Sequence, residues 1–321
     1  RIAPSLRTLR HANGNLVRFQ GGDQGMEGML DTALAACGIK SRNSDHLTMG
    51  YARLSAGRTS VIIDAGPPAT GNASYNAHAS TLAFELTSGR RPLIVSCGSG
   101  AHLGPDWHRA GRATPSHSTL CLGGYSSARL GKPVKTSGVY RELLVEAPKI
   151  VPVEMSQTAE GVKFEGAHSG YVPPFGLTHA RKLSLSLDGR SLAGEDLLIA
   201  LDDTAGNAGE TVLSDDINPN VDFQIRFHLH PEVDAALDLG GTTVAIAAKS
   251  GEIWIFRHES KLSLTIEPGV YLEKNQPIPR SSRQIVLSGM VNDALTRAQW
   301  SLSKTQDTAM AIRDLRLEEL R

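Results

Sequence analysis

The sequence predicts a mainly β protein: a large antiparallel β-sandwich with a short helical N-terminal segment and a C-terminal helix. Three observations point there. From Met49 onward, apolar and polar residues alternate with the period of two that a half-buried strand requires. Turn pairs such as Ser88-Gly89, Asp188-Gly189, Gly240-Gly241 and Ser250-Gly251 punctuate these runs. Strand and helix patterns do not alternate along the chain, so βαβ units and a parallel sheet are disfavoured.

Residues 1–47 form a first unit. Gly28 to Cys37 carries apolar residues at helical spacing, and the glycines in Phe19 to Gly25 mark a loop before it. The sandwich unit runs over 48–321. Tyr51–Ser55 and Thr59–Asp64 read as a hairpin around Ala56-Gly57-Arg58. Further strands are expected at 80–87, 92–97, 118–123, 138–146, 149–155, 180–187, 196–202, 222–230, 242–248, 252–257, 261–267, 284–290 and 296–302. The stretch 203–221 is polar and reads as a loop leaving the sheet. From Thr305 to Arg321, Ala309, Ile312, Leu315 and Leu320 make one apolar stripe of a packing helix.

Composition excludes several functions. Thirty-three basic residues balance thirty-three acidic ones, so the basic excess that non-specific nucleic-acid binding needs is absent. No run approaches the roughly 20 apolar residues of a membrane helix. Arg1-Ile2-Ala3-Pro4 has no signal-peptide pattern and reads as a cut end. Three cysteines, Cys37, Cys97 and Cys121, supply neither a disulfide framework nor a CxxC metal pattern. The sequence holds no GxSxG, P-loop, HExxH or dinucleotide fingerprint.

The chemistry-bearing residues cluster instead around histidines. Asn76 and His78, read as part of a strand, would share one sheet face. His117 would open a later strand, with Trp107, His108, Arg109 and Arg112 upstream. Guanidinium groups pair with carboxylates and tryptophan faces stack on sugar rings, so this loop suits an acidic carbohydrate. His168-Ser169-Gly170-Tyr171 and His179-Ala180-Arg181 form a further polar cluster that would line a cleft. His228 and His230 share a strand face expected to be exposed.

In order, these segments resemble the β-sandwich part of the heparinase II/III-like family of bacterial polysaccharide lyases. The resemblance rests on Tyr51-Ala52-Arg53-Leu54, Asp64-Ala65-Gly66-Pro67, Asn76-Ala77-His78-Ala79-Ser80 and Leu82 to Leu86. It continues through Arg91 to Gly98, Ser116-His117-Ser118-Thr119, His168 to Tyr171, His179 to Arg181, Phe227 to Pro231 and Gly251 to Trp254. It implies that residues 1–47 end an α/α toroid that is otherwise missing from this chain. It also implies β-elimination on a uronic-acid polysaccharide, in a bacterial periplasm or cytoplasm.

The chemistry needs a neutralised C5 carboxylate, a base for the C5 proton and an acid at the leaving oxygen. In the family motif the first His is catalytic, and Asn76 stands there. His78, Ser96 and His117 hold the positions of a Zn2+ site, with serine replacing an aspartate. The family's catalytic Tyr belongs to the toroid, and Tyr75 is the nearest phenol in this chain. The resemblance thus nominates Asn76, His117 and Tyr75 for catalysis, and Arg109, Arg112, Trp107 and His168 for substrate. Two other readings stand beside it: an acidic-carbohydrate-binding protein that kept the fold without turnover, and a different enzyme on the same scaffold.

Overall fold

A computed structural model describes residues 2–23, 25–26, 28–38, 47–136, 138–201, 220–259, 261–274 and 276–306. Strand alternation drives the architecture. Residues such as Leu54, Ile63, Phe84, Leu183, Phe227 and Trp254 bury one face of their strands almost completely. Such half-apolar sheets become stable by packing face to face.

Two eight-stranded antiparallel sheets result. The first runs Tyr51–Ala56, Thr59–Asp64, Phe84–Ser88, Arg91–Val95, Val221–Leu229, Arg280–Val291 and Ser263–Tyr271, with Leu120–Leu122 pairing alongside Val221–Leu229. The second runs Val153–Gln157, Gly161–Tyr171, Leu177–Ser186, Ser191–Ala200, Leu295–Gln306, Ile253–His258, Thr243–Ala248 and Val233–Asp238.

Aromatic side chains close the space between the sheets. Trp300 stacks on Phe84 with ring centroids 5.6 Å apart, and Phe227 meets Trp300 edge-on at 4.7 Å. Gly194 makes room for this: a Cβ there would lie 2.1 Å from the Trp300 ring. Truncating Trp300 to alanine would cost about 3–5 kcal/mol from lost burial and the cavity left behind.

The N-terminal segment is tied to the outside of the first sheet. Val17 and Phe19 pack with Ile62 and Ala83. The Arg53 guanidinium donates to the carbonyls of Thr8 and Arg10 at 2.9 and 2.8 Å. Arg18, 4% exposed, donates to the carbonyls of Ser96, Cys97 and Leu272. His11 meets Glu85 at 3.3 Å inside the same seam. The expected helix is present at Met29–Ala36. No described helix is long and apolar enough to cross a membrane.

Several expected elements differ. Residues 80–83 are not strand: the Ala83 N–H turns back onto the Ser80 carbonyl, the Leu82 N–H and the Ala83 carbonyl meet only Asp64, and the Leu82 carbonyl accepts from Arg181. The strand expected at 138–146 is two short ones, Val139–Arg141 and Leu144–Glu146, each paired to a different partner. Gly161–Tyr171 and Val233–Asp238 are additional strands, and Pro105–Gly111 is an additional helix. The exposed face expected for His228 is absent. His228 is 3% exposed, with Nε2 2.8 Å from the Pro115 carbonyl and Nδ1 3.4 Å from Cys97 Sγ. Cys97 and Cys121 are buried. Residues 305 and 306 end the strand Leu295–Gln306, while the rest of the expected C-terminal helix and most of the 203–221 loop lie outside the described residues.

Candidate functional site

The site grows from the crossover between Thr59–Asp64 and Phe84–Ser88. After Asp64 the chain leaves the sheet, makes a 3-10 turn over Gly71–Asn76, and returns through residues 77–83. Asn76 therefore ends a turn and His78 sits in the loop after it. The two do not share a strand face, contrary to the alternation reading.

Side chains from elsewhere hold this loop. Arg112, 3% exposed, donates to the carbonyls of Ala77, Ser74 and Glu142 at 2.9, 2.7 and 2.8 Å. Its fork is thus turned on the protein's own backbone, which contradicts the expectation of a guanidinium open to substrate. Thr114 Oγ1 donates to the Ala79 carbonyl at 2.7 Å. From the N-terminal segment, Gln20 Oε1 accepts the His78 backbone N–H at 3.1 Å, while its Nε2 donates to Asp64 at 2.7 Å. Ser80 Oγ donates to the same carboxylate oxygen at 2.5 Å.

Below the loop lie two imidazoles, both 0% exposed. His78 Nδ1 is 3.0 Å from His117 Nε2, and His117 Nδ1 is 3.1 Å from Ser96 Oγ. His117 does not open a strand: it caps the turn Thr114–Ser116, three residues before Leu120–Leu122. His78 Nε2 is buried with no hydrogen-bond partner. Burial, reinforced by the His117 and Arg112 charges, holds His78 well below the ordinary imidazole range. Burial also pushes His117 down to about 3. Both rings are neutral at physiological pH.

A cavity of about 470 Å³ opens beside Asn76 and is lined by Gln20, Met49, Tyr51, Asp64, Asn76 and small residues. Burial lifts the Asp64 carboxyl to about 6, against the opposing hydrogen bonds from Ser80 and Gln20. Burial likewise raises the Tyr51 phenol, with the Asp64 charge adding to it. Gln20 and Met49 have φ of 51° and 53°, a left-handed backbone that non-glycine residues rarely adopt.

The remaining nominated residues are placed as follows. Tyr75 precedes Asn76, is 37% exposed, and lies under the Arg141 guanidinium at 4.3 Å. Trp107 and Arg109 sit on Pro105–Gly111; Trp107 is half-buried, and Arg109 is exposed and paired with Glu142. Neither lines the cavity. His168 is 2% exposed and lies between the sheets. It faces no cleft, because its strand Gly161–Tyr171 turns that ring inward onto His179. Gln20, Tyr51 and Asp64 were not singled out as site residues from the sequence; the signals were a glycine pair after Gln20 and the Tyr51-Ala52-Arg53-Leu54 and Asp64-Ala65-Gly66-Pro67 segments of the resemblance.

The donors do not fit zinc. His78 Nδ1 and His117 Nε2 come close enough to share an ion, but Ser96 lies against the opposite nitrogen of His117. Among the described residues no group of three His, Cys, Asp or Glu side chains could hold a metal, whereas a zinc site needs three or four protein ligands.

The class by fold is a double antiparallel β-sandwich, here with a buried histidine couple under a hydrogen-bonded crossover loop. The chain belongs to the heparinase II/III-like family: the model described as "Heparinase II/III-like, C-terminal" matches residues 40–305. Among curated proteins it is 30% identical over 318 residues to FtsZ-localized protein C of Caulobacter vibrioides (strain NA1000 / CB15N), covering 95% of this chain and 51% of the relative. Among solved structures it is similar in fold to a mutant of heparan sulfate lyase HepC from Pedobacter heparinus, with a TM-score of 0.68 at 13% identity, covering 94% of this chain and 46% of that one. A structure of heparinase III gives a TM-score of 0.68 at 12% identity, covering 94% and 47%. The chain spans about half the length of these proteins.

Proposed function

We propose that this chain is the sandwich half of a bacterial protein that binds an acidic polysaccharide and supplies no elimination chemistry from its sandwich side. The observation that carries this reading is the side chain beside the cavity. Asn76 is a carboxamide, which neither takes nor gives a proton in the range where a C5 proton must move. The two imidazoles beneath it are sealed and neutral. A histidine that never reaches solvent has no path to a substrate proton. Exposed Arg109 is held only by a surface ion pair with Glu142, a weak contact that an anionic chain can replace.

The second reading is a lyase whose proton-transferring groups stand on a toroid domain facing this loop. Tyr75, 37% exposed next to Asn76, and the family's fold favour it. Titration calorimetry of the full-length protein with a panel of acidic polysaccharides separates the outcomes. Saturable binding that weakens in Arg109→Ala, with polymer length unchanged, is the expected result. Absence of affinity for every member of the panel would remove the binding reading.

A further inference from the structure

We infer that the cavity beside Asn76 is a subsite for the uncharged acetamido group of an N-acetylated amino sugar, rather than for a uronate carboxylate. The inference rests on the saccharide-binding reading above and narrows what this site holds.

Charge decides first. No Lys, Arg or His lines the cavity among the described residues, and the only formal charge on its wall belongs to Asp64. Of the nearby guanidinium groups, Arg112 is committed to three carbonyls and Arg141 to the Tyr75 ring, and Arg109 does not line the cavity. A sugar carboxylate entering here would lose water, meet no cation among the described residues and face a second carboxyl group. Burying an unpaired charge is among the costliest steps in recognition.

The polar groups left open match an amide. The Asn76 carboxamide and the Tyr51 hydroxyl line the cavity, and neither makes a hydrogen bond to the described residues. A carboxamide offers one acceptor and two donors, so it can pair reciprocally with the C=O and N–H of an acetamido group. The phenol adds a further donor. The rest of the wall includes Gly50, Gly66, Pro67, Ala69 and Ala73, small enough to admit a methyl group. About 470 Å³ falls within the range of small-ligand sites and holds an acetamido group with part of its pyranose.

The reading group is also held in place. Gly21 presses on Asn76 so closely that a Cβ there would lie 2.6 Å from the Asn76 carbonyl oxygen. Tyr51 stacks on Phe19 with rings 10° from parallel. The backbone at Gln20 and Met49 is left-handed, and such strain concentrates at ligand sites.

The test uses the full-length protein and three probes: N,N′-diacetylchitobiose, its de-N-acetylated counterpart, and glucuronic acid. Binding is followed by calorimetry and by ligand-observed NMR. The acetylated probe is expected to bind at least about tenfold more tightly than the free amine, as befits one amide pair lost. Asn76→Ala should erase that preference. Asn76→Asp, a near-isosteric change that guards against misfolding in the alanine variant, should reverse it in favour of the ammonium form. Equal affinity for the two disaccharides, or glucuronic acid competing in an Asn76-dependent way, would overturn the subsite while leaving saccharide binding intact. Failure of these probes and of every polysaccharide in the panel would overturn the binding reading itself.

Discussion

Two buried histidine couples in this molecule are built alike and end differently. His78 and His117 meet at 3.0 Å with ring centroids 5.1 Å apart; His168 and His179 meet at 3.2 Å with centroids also 5.1 Å apart. In the second couple every ring nitrogen is answered. The Gly170 N–H donates to His168 Nδ1, so His168 Nε2–H points at His179 Nδ1, and His179 Nε2–H donates to Asp196. Asp196 also accepts from Arg181 and from Trp300 Nε1. Arg181 in turn donates to the carbonyls of Leu82 and Ser118, in the loops that lead into Phe84–Ser88 and Leu120–Leu122 of the opposite sheet. The first couple stops short, with Ser96 at one end and an unanswered His78 Nε2 at the other. A completed network acts as a bolt between sheets. An incomplete one, beside a cavity with strained backbone, marks a place where packing was not the only requirement.

The largest effect should come from breaking the completed network. Burial alone would raise the Asp196 carboxyl, but the Arg181 charge and the His179 hydrogen bond outweigh it and hold the group well below its usual range. Arg181→Met strands that charge and should cost about 3–5 kcal/mol in urea unfolding. A loss under about 1 kcal/mol would show that the network does not bolt the sheets.

The next effect separates the couples directly. His179→Gln should cost about 2–3 kcal/mol, because it disturbs an answered chain ending on a charge. His78→Gln should cost about 1 kcal/mol or less, since the wild-type ring already carries an orphaned nitrogen. Equal losses would erase the distinction between the two.

The acid limb of the stability curve tests both couples together. Burial depresses His78, His117, His168 and His179, with His117 down to about 3. The unfolded chain binds these protons near pH 6.5, whereas the folded protein refuses them until far lower pH. Stability is therefore full above about pH 6.5 and falls as pH drops below it. Asp64, raised to about 6, acts in the opposite sense between pH 3.8 and 6, but it is one group against these four together with His228 and His230, which burial also depresses. His117→Gln and His168→Gln should each flatten the slope by up to about 1.4 kcal/mol per pH unit. An unchanged slope in both would contradict the buried neutral state.

Much of the sandwich was legible because burial of one sheet face writes a period of two into the sequence. Thirteen residues of Asn76 to Ser88 show where that reading breaks. Leu82, Phe84 and Leu86 alternate convincingly, yet only the part from Phe84 is strand, because Arg112, Gln20 and Thr114 satisfy the loop before it. The strand Gly161–Tyr171 was hidden by Gly166, Ala167, His168, Ser169 and Gly170, whose composition reads as a polar cluster. His78 and His117 were legible as a pair through the family resemblance. Gln20 and Tyr51 were not, since they reach the site from an N-terminal segment and a separate strand, and no local pattern encodes that meeting.

The smallest effect concerns metal. With only two imidazoles aimed at one another, excess zinc should shift the melting temperature by less than about 1 °C. A rise of several degrees that disappears in His78→Ala would show a third ligand at work.

The central claim is that Asn76 and the sealed histidines leave this sandwich without elimination chemistry. Its most direct test follows the ultraviolet absorbance of unsaturated uronate as full-length protein is mixed with acidic polysaccharides that it binds. No rise above the protein-free rate is predicted, for wild type and Asn76→Ala alike. A steady rise in wild type that Asn76→Ala abolishes would contradict the account.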